Sequence, residues 1–177
     1  MNLTKRVVLL LAVVVILALV SGCVGFSPPD RKATGFLKVQ AASETCGVWL
    51  YDTEVYASGY WTGGVAGSKA SGEGTLVLYN KEKQKLLEYR GGMVEGYASG
   101  TGQVIAGEFD VYGDLTKYFF VYQGEWSGGL PNGEGIVWSY QANDKLEYIV
   151  EGTFKDFAVT GKYFYTKDGK REVREVK

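Results

Sequence analysis

Hydrophobic and polar residues alternate along most of the chain in short runs that end at glycine-containing turns. Residues 135–140, for example, form one such run, which a polar turn separates from a second run at residues 146–150. Alternation over about four to eight residues, bounded by turn formers, is typical of half-buried β-strands joined into hairpins. The pattern therefore predicts an all-β fold that begins near Phe36.

The first residues do not follow this pattern. Lys5 and Arg6 precede an uninterrupted apolar run at residues 7–20. This run is shorter than the roughly 20 apolar residues that a membrane-spanning helix needs. A charged start, a short apolar run and small residues after it are the features of a secretory signal peptide. We assign this peptide to residues 1–22 and expect it to be helical.

The end of this segment, Val20-Ser21-Gly22-Cys23, resembles the lipobox of bacterial lipoproteins. The resemblance implies cleavage before Cys23, attachment of a diacylglyceryl group to its thiol and, often, acylation of the new amino terminus by a fatty acid such as palmitate. Because two or more acyl chains hold a protein stably on a bilayer, the protein would be exported and lipid-anchored to the cell membrane or the outer membrane. The alternative is an uncleaved signal anchor in which Cys23 has no role.

Residues 23–35 are predicted to form a flexible tether. Pro28 and Pro29 are followed by three charged residues, and the segment has little to bury. This composition favours an extended, solvated chain. We therefore divide the chain into a signal peptide at 1–22, a lipidated cysteine with a tether at 23–35 and a repeat domain at 36–177.

One phrase occurs twice in full within the repeat domain. It has the form Y-x-G-x-W-x-x-G-x-x-x-G-x-G and starts at Tyr89 and at Tyr122, with Met93 in the first copy where the second has Trp126. Alternation along a strand places its two large side chains and the glycine between them on one face. The later glycines permit a tight reversal, expected within residues 128–132. The structural glycines so predicted are Gly91, Gly96, Gly100, Gly102, Gly124, Gly129, Gly133 and Gly135.

Two looser copies flank the full ones. In the earlier copy Trp61 takes the place of Trp126, but Gly72 and Gly74 come four residues late, and in the last copy Phe154 takes that place. The four anchors are thus 32, 33 and 28 residues apart. A lone strand pair cannot bury its aromatic face, so the copies should lie side by side in a single elongated, twisted antiparallel sheet of tandem β-hairpins. The extra length is expected in two hairpin tips, at residues 80–85 and 107–115.

The phrase resembles the MORN repeat, the membrane occupation and recognition nexus motif, over roughly residues 57–162. The unit of that family is shorter than these spacings, so the resemblance implies the pairing of the strands but not a regular stacking of the hairpin tips. Proteins with this repeat are thought to act as scaffolds or membrane-associated adaptors. A partial unit at residues 46–51 is expected to cap one end of the array, and a polar edge strand after Asp168-Gly169 to end it at the other.

Composition narrows the function further. The net charge is −1, and removal of Lys5 and Arg6 with the signal peptide leaves seventeen basic residues against twenty acidic ones, a charge of −3. Such a chain has no basic excess for nucleic acid or anionic headgroups. It contains no histidine, which excludes an imidazole base, a Ser-His-Asp triad and His-ligated zinc. If Cys23 is lipidated, Cys46 has no disulfide partner and is expected to be a small buried hydrophobe.

The remaining chemistry gives little support to catalysis. The glycine-rich phrases lack the spacing of phosphate-binding loops, and the acidic residues lack the spacing of a calcium loop. We therefore predict no metal, no cofactor and no catalytic residue. Hydrolysis of a glycan by two carboxylates stays as the least favoured alternative, because sequence alone cannot place such a pair.

The aromatic residues of the repeats support the main functional hypothesis. Strands lie about 4.8 Å apart, so these side chains should form a ladder across one face of the sheet. The ladder is either the core of the sheet or a face that binds a protein partner in the envelope; an alternative ligand is an envelope glycan stacked on the rings. The residues proposed for this face are Trp61, Tyr89, Met93, Tyr122, Trp126 and Trp138.

Overall fold

The computed structural model describes residues 33, 35–42, 44–51 and 53–176. Among these residues the secondary structure is entirely β, as predicted. The predicted signal peptide, Cys23 and residues 24–32 lie outside the described residues. The twelve strands are β1 (Gly35–Gln40), β2 (Thr45–Leu50), β3 (Ser58–Trp61), β4 (Gly64–Ala66), β5 (Lys69–Tyr79), β6 (Lys85–Val94), β7 (Tyr97–Phe109), β8 (Leu115–Ser127), β9 (Leu130–Tyr140), β10 (Leu146–Lys155), β11 (Ala158–Lys167) and β12 (Lys170–Glu175).

The twelve strands form one sheet. From β5 to β12 each strand pairs with the next one along the chain in antiparallel orientation, and β3 and β4 together pair with β5 as one interrupted strand. Four hairpins result, in which the second strands are β5, β7, β9 and β11. The prediction of an antiparallel sheet of tandem hairpins is confirmed. So is the polar edge strand, since all six residues of β12 are exposed.

Each hairpin reverses through a turn of two residues. Both residues of every turn have positive φ, between 50° and 83°, which defines the type I′ turn whose twist matches that of paired strands. The sequence predicted a reversal within residues 128–132; the turn is complete at Gly129, and Pro131 already belongs to β9. The tight turns of these four hairpins are Gly67-Ser68, Glu95-Gly96, Gly128-Gly129 and Asp156-Phe157. Asp168-Gly169 forms a fifth turn of this kind between β11 and β12, at the opposite edge.

The tight turns stack regularly along one edge of the sheet. In each later hairpin, the N–H of the second turn residue donates to a carbonyl of the preceding hairpin. These equivalent bonds run from Gly96 to Ala70 (2.9 Å), from Gly129 to Ala98 (3.0 Å) and from Phe157 to Pro131 (3.2 Å). The tips on this edge are therefore in register, although the repeat lengths differ.

The opposite edge carries the longer connections, which share one conformation. In each five-residue loop the N–H of the first residue donates to the carbonyl of the fifth at 2.8–3.0 Å, and the fourth residue has positive φ. A left-handed residue after a tight reversal is common in hairpins of this length. Of the extra residues predicted at 80–85 and 107–115, residues 80–84 and 110–114 form such loops, whereas Lys85, residues 107–109 and Leu115 belong to β6, β7 and β8. The loops are residues 80–84, 110–114 and 141–145.

The first hairpin corrects the alignment made from the sequence. Trp61 lies six residues before its tight turn, as Tyr89 and Tyr122 lie before theirs, whereas the phrase had placed it with Met93 and Trp126. The first residues of successive turns are then 28, 33 and 28 residues apart, and the glycines of β5 are in step with those of β7 and β9. A large ring fits two places in the phrase, so spacing in the sequence could not separate them.

Two rows of residues cross the inner face, which we define as the face that carries Tyr89 and Tyr122. In the first row, large rings alternate with aliphatic side chains as far as Val137, and Val150 then precedes the last ring; the direct cross-strand pairs run Trp61, Leu76, Tyr89, Val104, Tyr122, Val137, Val150 and Tyr165. The second row, the glycine row, consists of six directly paired glycines on six adjacent strands: Gly74, Gly91, Gly102, Gly124, Gly135 and Gly152.

The rings lie over the glycine row. A Cβ atom on Gly124 would be 2.6 Å from the Tyr122 hydroxyl oxygen, and one on Gly135 would be 2.5 Å from the same atom. Tyr89 covers the two glycines of its own hairpin in the same way, and so does Trp61. A glycine in a strand often marks such a close approach, because any side chain would occupy the space of the ring.

The polar tips of these rings are bonded to the backbone. Trp61 Nε1 and the hydroxyls of Tyr89 and Tyr122 each donate to the carbonyl three residues further on, at 2.8, 2.8 and 2.9 Å. The Trp126 ring meets Tyr89 and Tyr122 edge to face, with both centroid distances 5.2 Å, and Phe154 meets Tyr122 at 5.3 Å. Such pairs contribute about 0.5–1.5 kcal/mol beyond the buried area, so the line of rings links successive hairpins.

The N-terminal hairpin, β1 with β2, lies across the row of tight turns. Gly47, Trp49 and Ala33 donate their backbone N–H groups to carbonyls of the first, second and third turns at 2.9, 2.8 and 2.9 Å. The Tyr51 ring contacts Phe157 of the fourth turn, with the centroids 5.6 Å apart. This hairpin and the residues that flank it, Ala33 and Tyr51, therefore contact all four tight turns along this edge.

Two boundaries predicted for the N-terminal part need correction. Ala33 is only 2% exposed and β1 begins at Gly35, so the fold already includes residues assigned to the tether at 23–35. The segment at 46–51, expected to be a partial repeat, is mainly β2, which pairs with β1 and meets β5 at a single parallel bridge. It crosses the turns instead of extending the row of hairpins.

Replacing Gly135 with alanine is expected to destabilise the protein by about 1–3 kcal/mol, because the new methyl group would meet three atoms of the Tyr122 side chain within 2.8 Å. Gly64→Ala is the matched control, since its Cβ would have only the Ser71 carbonyl oxygen nearby, at 3.2 Å. Urea-induced unfolding of both variants measures the difference. Equal losses of stability would contradict the role of the glycine row.

Candidate functional site

The predicted aromatic ladder is the core of the sheet. Trp61, Tyr89, Met93, Tyr122 and Trp126 are each at most 8% exposed. Burial raises the pKa of both tyrosines, and nearby carboxylates raise it further, so their hydroxyls remain neutral donors. Of the two interpretations left open by the sequence, the core therefore applies to these five residues.

The sixth predicted residue, Trp138, lies on the opposite, outer face. It pairs directly with Val121 on one side and Ile149 on the other, and it is half-buried. The prediction that groups Trp138 with the ladder is wrong. Its neighbour in β9, Val137, pairs with Tyr122 on the inner face, and successive side chains of a strand point to opposite faces. The paired row on the outer face runs Tyr60, Val77, Glu88, Ile105, Val121, Trp138, Ile149, Thr166 and Arg171.

An outer aromatic patch, defined as Tyr118, Trp138 and Tyr140, lies beside the loop edge. The rings of Tyr118 and Tyr140 are stacked, with centroids 5.0 Å apart and planes 25° apart, and Tyr118 is 37% exposed. The Tyr118 N–H donates to the Asp144 carboxylate at 2.8 Å. Burial, Tyr118 and Asp144 together raise the pKa of Tyr140. Partly exposed tyrosine rings of this kind are common in binding surfaces.

Sequence reasoning missed the two tyrosines of this patch. The pairing of β7 with β8 shifts between Ala106 and Gly107, so Tyr118 pairs with Gly107 while Phe120 pairs with Ala106. This β-bulge reverses the alternation near the start of β8 and turns Tyr118 away from the inner face. Alternation along the sequence alone would have assigned Tyr118 to the same face as Tyr122.

A charged cluster lies further along the outer row. Lys85 Nζ and Arg90 Nε donate to the two carboxylate oxygens of Glu88 at 2.6 and 2.5 Å. Lys85 Nζ also donates to the Gly113 carbonyl at 3.2 Å and lies 4.2 Å from the centroid of the Phe109 ring. Burial opposes ionisation of Glu88, but the two cations outweigh it and hold the pKa of this carboxyl below its ordinary value. The cluster therefore fastens a loop to β6.

An apolar cavity of about 90 Å³ lies between the N-terminal hairpin and the inner face. Its walls are aliphatic and aromatic side chains with one glycine, and none of the lining residues is charged. The lining includes Leu76, Leu78, Leu87, Phe120 and Trp126 from the sheet and Trp49 from β2.

Trp49 is the residue of this region that the sequence did not single out. Its ring stacks on Tyr97, with centroids 5.5 Å apart and planes 5° apart, and meets Phe36 edge-on at 4.9 Å. Its Nε1 atom is buried and has no hydrogen-bond partner among the described residues. Buried donors without an acceptor are uncommon in proteins. The one feature of the sequence that could have drawn attention to Trp49 is that this tryptophan lies outside the repeat phrase.

The eight glycines predicted as structural serve three purposes. Four belong to the glycine row, and Gly96 and Gly129 are the second residues of tight turns. Gly100 and Gly133 have φ of 75° and 103°, beside the points where pairing within their hairpins shifts register. A Cβ on Gly129 would also lie 2.8 Å from that of Ala33, so this glycine admits the N-terminal segment.

The remaining candidates for chemistry are Cys46 and the acidic side chains. Cys46 is buried and free, and burial with the nearby Glu44 charge raises the pKa of its thiol, which suits a small hydrophobe. Within the described residues, no three acidic or cysteine side chains come together in a way that could hold a metal ion.

Comparison with known proteins leaves the family open. No protein-family model matches the chain, and a search of curated proteins finds no match. The part of the chain that the structure describes contains no helix with the length and apolar composition needed to cross a membrane.

Glu88→Gln is expected to lower stability at pH 7 by about 1.5–3 kcal/mol, because a charge-assisted network would be lost. The folded-state pKa of Glu88 is depressed, so its stabilising effect is complete above the ordinary carboxyl pKa and is lost as the pH falls through the folded-state value. The difference in the free energy of unfolding between the variant and the native protein should therefore become smaller on acidification, as measured by urea unfolding. Glu172→Gln, in an exposed pair with Arg174, is the control. A difference in the free energy of unfolding that does not change with pH would contradict the stabilising role of the Glu88 carboxylate.

Proposed function

We propose that the protein is a lipid-anchored, non-catalytic binding module of the bacterial envelope, with a MORN-like repeat domain. The lipobox-like segment that ends at Cys23 supports the anchor. The repeated rings, glycines and turns support the comparison with MORN repeats. Anchoring would restrict the module to one membrane surface, where weak contacts gain from a high local concentration.

The outer aromatic patch is the observation that favours binding. The inner face is filled by its own rings and crossed by the N-terminal hairpin, which leaves the outer face for a partner. On that face Tyr118 is 37% exposed and is held by its backbone bond to Asp144. Tyrosine and tryptophan contribute much of the energy of protein interfaces, because they bury large areas at a small entropic cost. The expected partner is an envelope protein that contacts this patch.

A glycan is the second candidate ligand, and the same patch favours it. Sugar rings stack on exposed aromatic faces, and the nearly parallel pair of Tyr118 and Tyr140 offers such a face. The rings first proposed for this role, including Tyr122 and Trp126, are buried. Glycan binding would therefore also use the outer face.

The anchor can be tested by mass spectrometry of the mature amino terminus. We expect a chain that starts at Cys23 and carries a diacylglyceryl group, in the membrane fraction. Cys23→Ser should abolish the lipid mass and the cleavage that depends on it, and Cys46→Ser should change neither. A native chain that retains residues 1–22 would contradict the anchor and leave the binding function to be tested separately.

The outer patch can be tested by cross-linking in intact cells with a photoreactive amino acid at position 138. A partner protein should be captured, and Tyr118→Ala combined with Tyr140→Ala should lower its yield about tenfold or more, as expected for loss of a central aromatic contact. Tyr112→Ala is the control, because this tyrosine is 88% exposed in a neighbouring loop.

The glycan alternative uses the same variants. Saturable changes in tryptophan fluorescence on titration with envelope polysaccharide, lost in the double variant and kept in Tyr112→Ala, would favour a glycan ligand. Failure of both experiments in a protein that is correctly anchored would contradict the proposed binding face.

A further inference from the structure

The strand β12 is an open edge of the sheet. It pairs with β11 on one side, and no other described strand pairs with its opposite side. All six of its residues are exposed. An unpaired edge strand can pair with a strand of another chain, and charged side chains usually prevent such pairing. The order of the charges along β12 therefore decides which strand it can accept.

The backbone of β12 presents every second residue to the open side. In an antiparallel pair, only alternate residues exchange hydrogen bonds with the neighbouring strand. Val176, just after β12, donates its N–H to the Gly161 carbonyl at 2.9 Å and so belongs to the set that bonds towards β11. The N–H and C=O groups of the intervening residues, Arg171, Val173 and Glu175, therefore point away from β11 and can bond to a further strand.

The charges of β12 complement themselves in one antiparallel register. When Val173 lies opposite Val173 of a second copy, Arg171 faces Glu175 of that copy. In the same register Glu172 faces Arg174. A centre at Glu172 or Arg174 would instead place that residue opposite its own equivalent. Because like charges directly opposite each other destabilise a sheet, the register centred on Val173 is favoured.

The side chains at this edge support the same register. Val173 is 62% exposed and pairs directly with Phe164 of β11, which is 42% exposed. The Arg171 guanidinium lies 3.9 Å from the centroid of the Phe164 ring. The Arg174 guanidinium lies 3.6 Å from the centroid of the Tyr165 ring. With Val173 at the centre, the exposed valine and phenylalanine of both copies form one apolar row across the junction, which removes apolar surface from water.

We propose that two copies of the protein pair through β12 in antiparallel orientation, centred on Val173, so that their sheets join into one. The outward-directed residues of each copy exchange backbone hydrogen bonds with those of the other, and pairs of opposite charge flank the centre. The two-fold axis of this closed pair is perpendicular to the sheet, so both outer faces lie on the same side. The contact does not depend on the proposed anchor or on the outer aromatic patch.

The pairing can be tested on the full chain in detergent solution by mild oxidation. Val173→Cys places two thiols directly opposite each other, with Cα atoms about 5.5 Å apart, a distance that a disulfide spans. Val111→Cys is the control, because this residue is 93% exposed in the loop between β7 and β8. At equal protein concentration, Val173→Cys should give about tenfold more covalent dimer. Equal yields would overturn the proposal.

Charge reversal tests the register. Added to Val173→Cys, either Glu172→Arg or Arg174→Glu places like charges opposite each other and should lower the yield of dimer about tenfold. An equimolar mixture of these two variants again pairs opposite charges, so the mixed dimer, identified by tags of different size, should recover the yield. Recovery would also show that both variants are folded. Unchanged yields in the single variants, or no recovery in the mixture, would overturn the proposal.

Sedimentation velocity gives a readout that needs no added cysteine. The native full chain in detergent should form dimers as its concentration rises, and Glu172→Arg should shift the equilibrium towards monomer. Glu82→Arg is the matched control, because it makes the same change of charge at an exposed position in a loop and should dimerise as the native chain does. A native chain that stays monomeric at the concentration used for oxidation would overturn the proposal, as would an equal effect of the two substitutions.

Discussion

The contact between a tyrosine ring and two glycines on neighbouring strands is the interaction on which the rest of the sheet depends. Tyr122 lies over Gly124 and Gly135 and bonds through its hydroxyl to the backbone three residues on. The ring thus covers the exposed backbone of the glycines and also packs against the next ring. Because the arrangement repeats, the strands in the part of the chain that the structure describes obtain a continuous apolar layer within a single sheet.

This constraint also determines where ligands can reach the protein. Rings that fold onto glycines are no longer available as stacking platforms, so the inner face offers only the space that remains under the N-terminal hairpin. The outer face has no such glycine row, so its aromatic side chains do not pack flat against glycines of the strands. The two surfaces therefore differ in chemistry although the same strands build both.

The sequence predicted the repeating features well, because each depends on a few neighbouring residues. Rings, glycines, loops and the edge strand could all be assigned from local spacing. Trp61 was misaligned because a large ring suits either of two places in the phrase, and only the position of the turn decides between them. Tyr118 depends on a bulge that no residue type marks. Trp49 and the cavity depend on how β2 docks across distant turns, a contact that local patterns do not encode.

Arrays of repeats usually unfold piecemeal, since each unit touches only its neighbours. The N-terminal hairpin changes that behaviour, because it contacts tight turns from all four hairpins and so couples units that otherwise do not meet. The hairpin is also made early during synthesis, yet Tyr51 meets Phe157 only after about a hundred further residues have been added. The contact between Tyr51 and Phe157 therefore cannot form until the fourth hairpin has been synthesised.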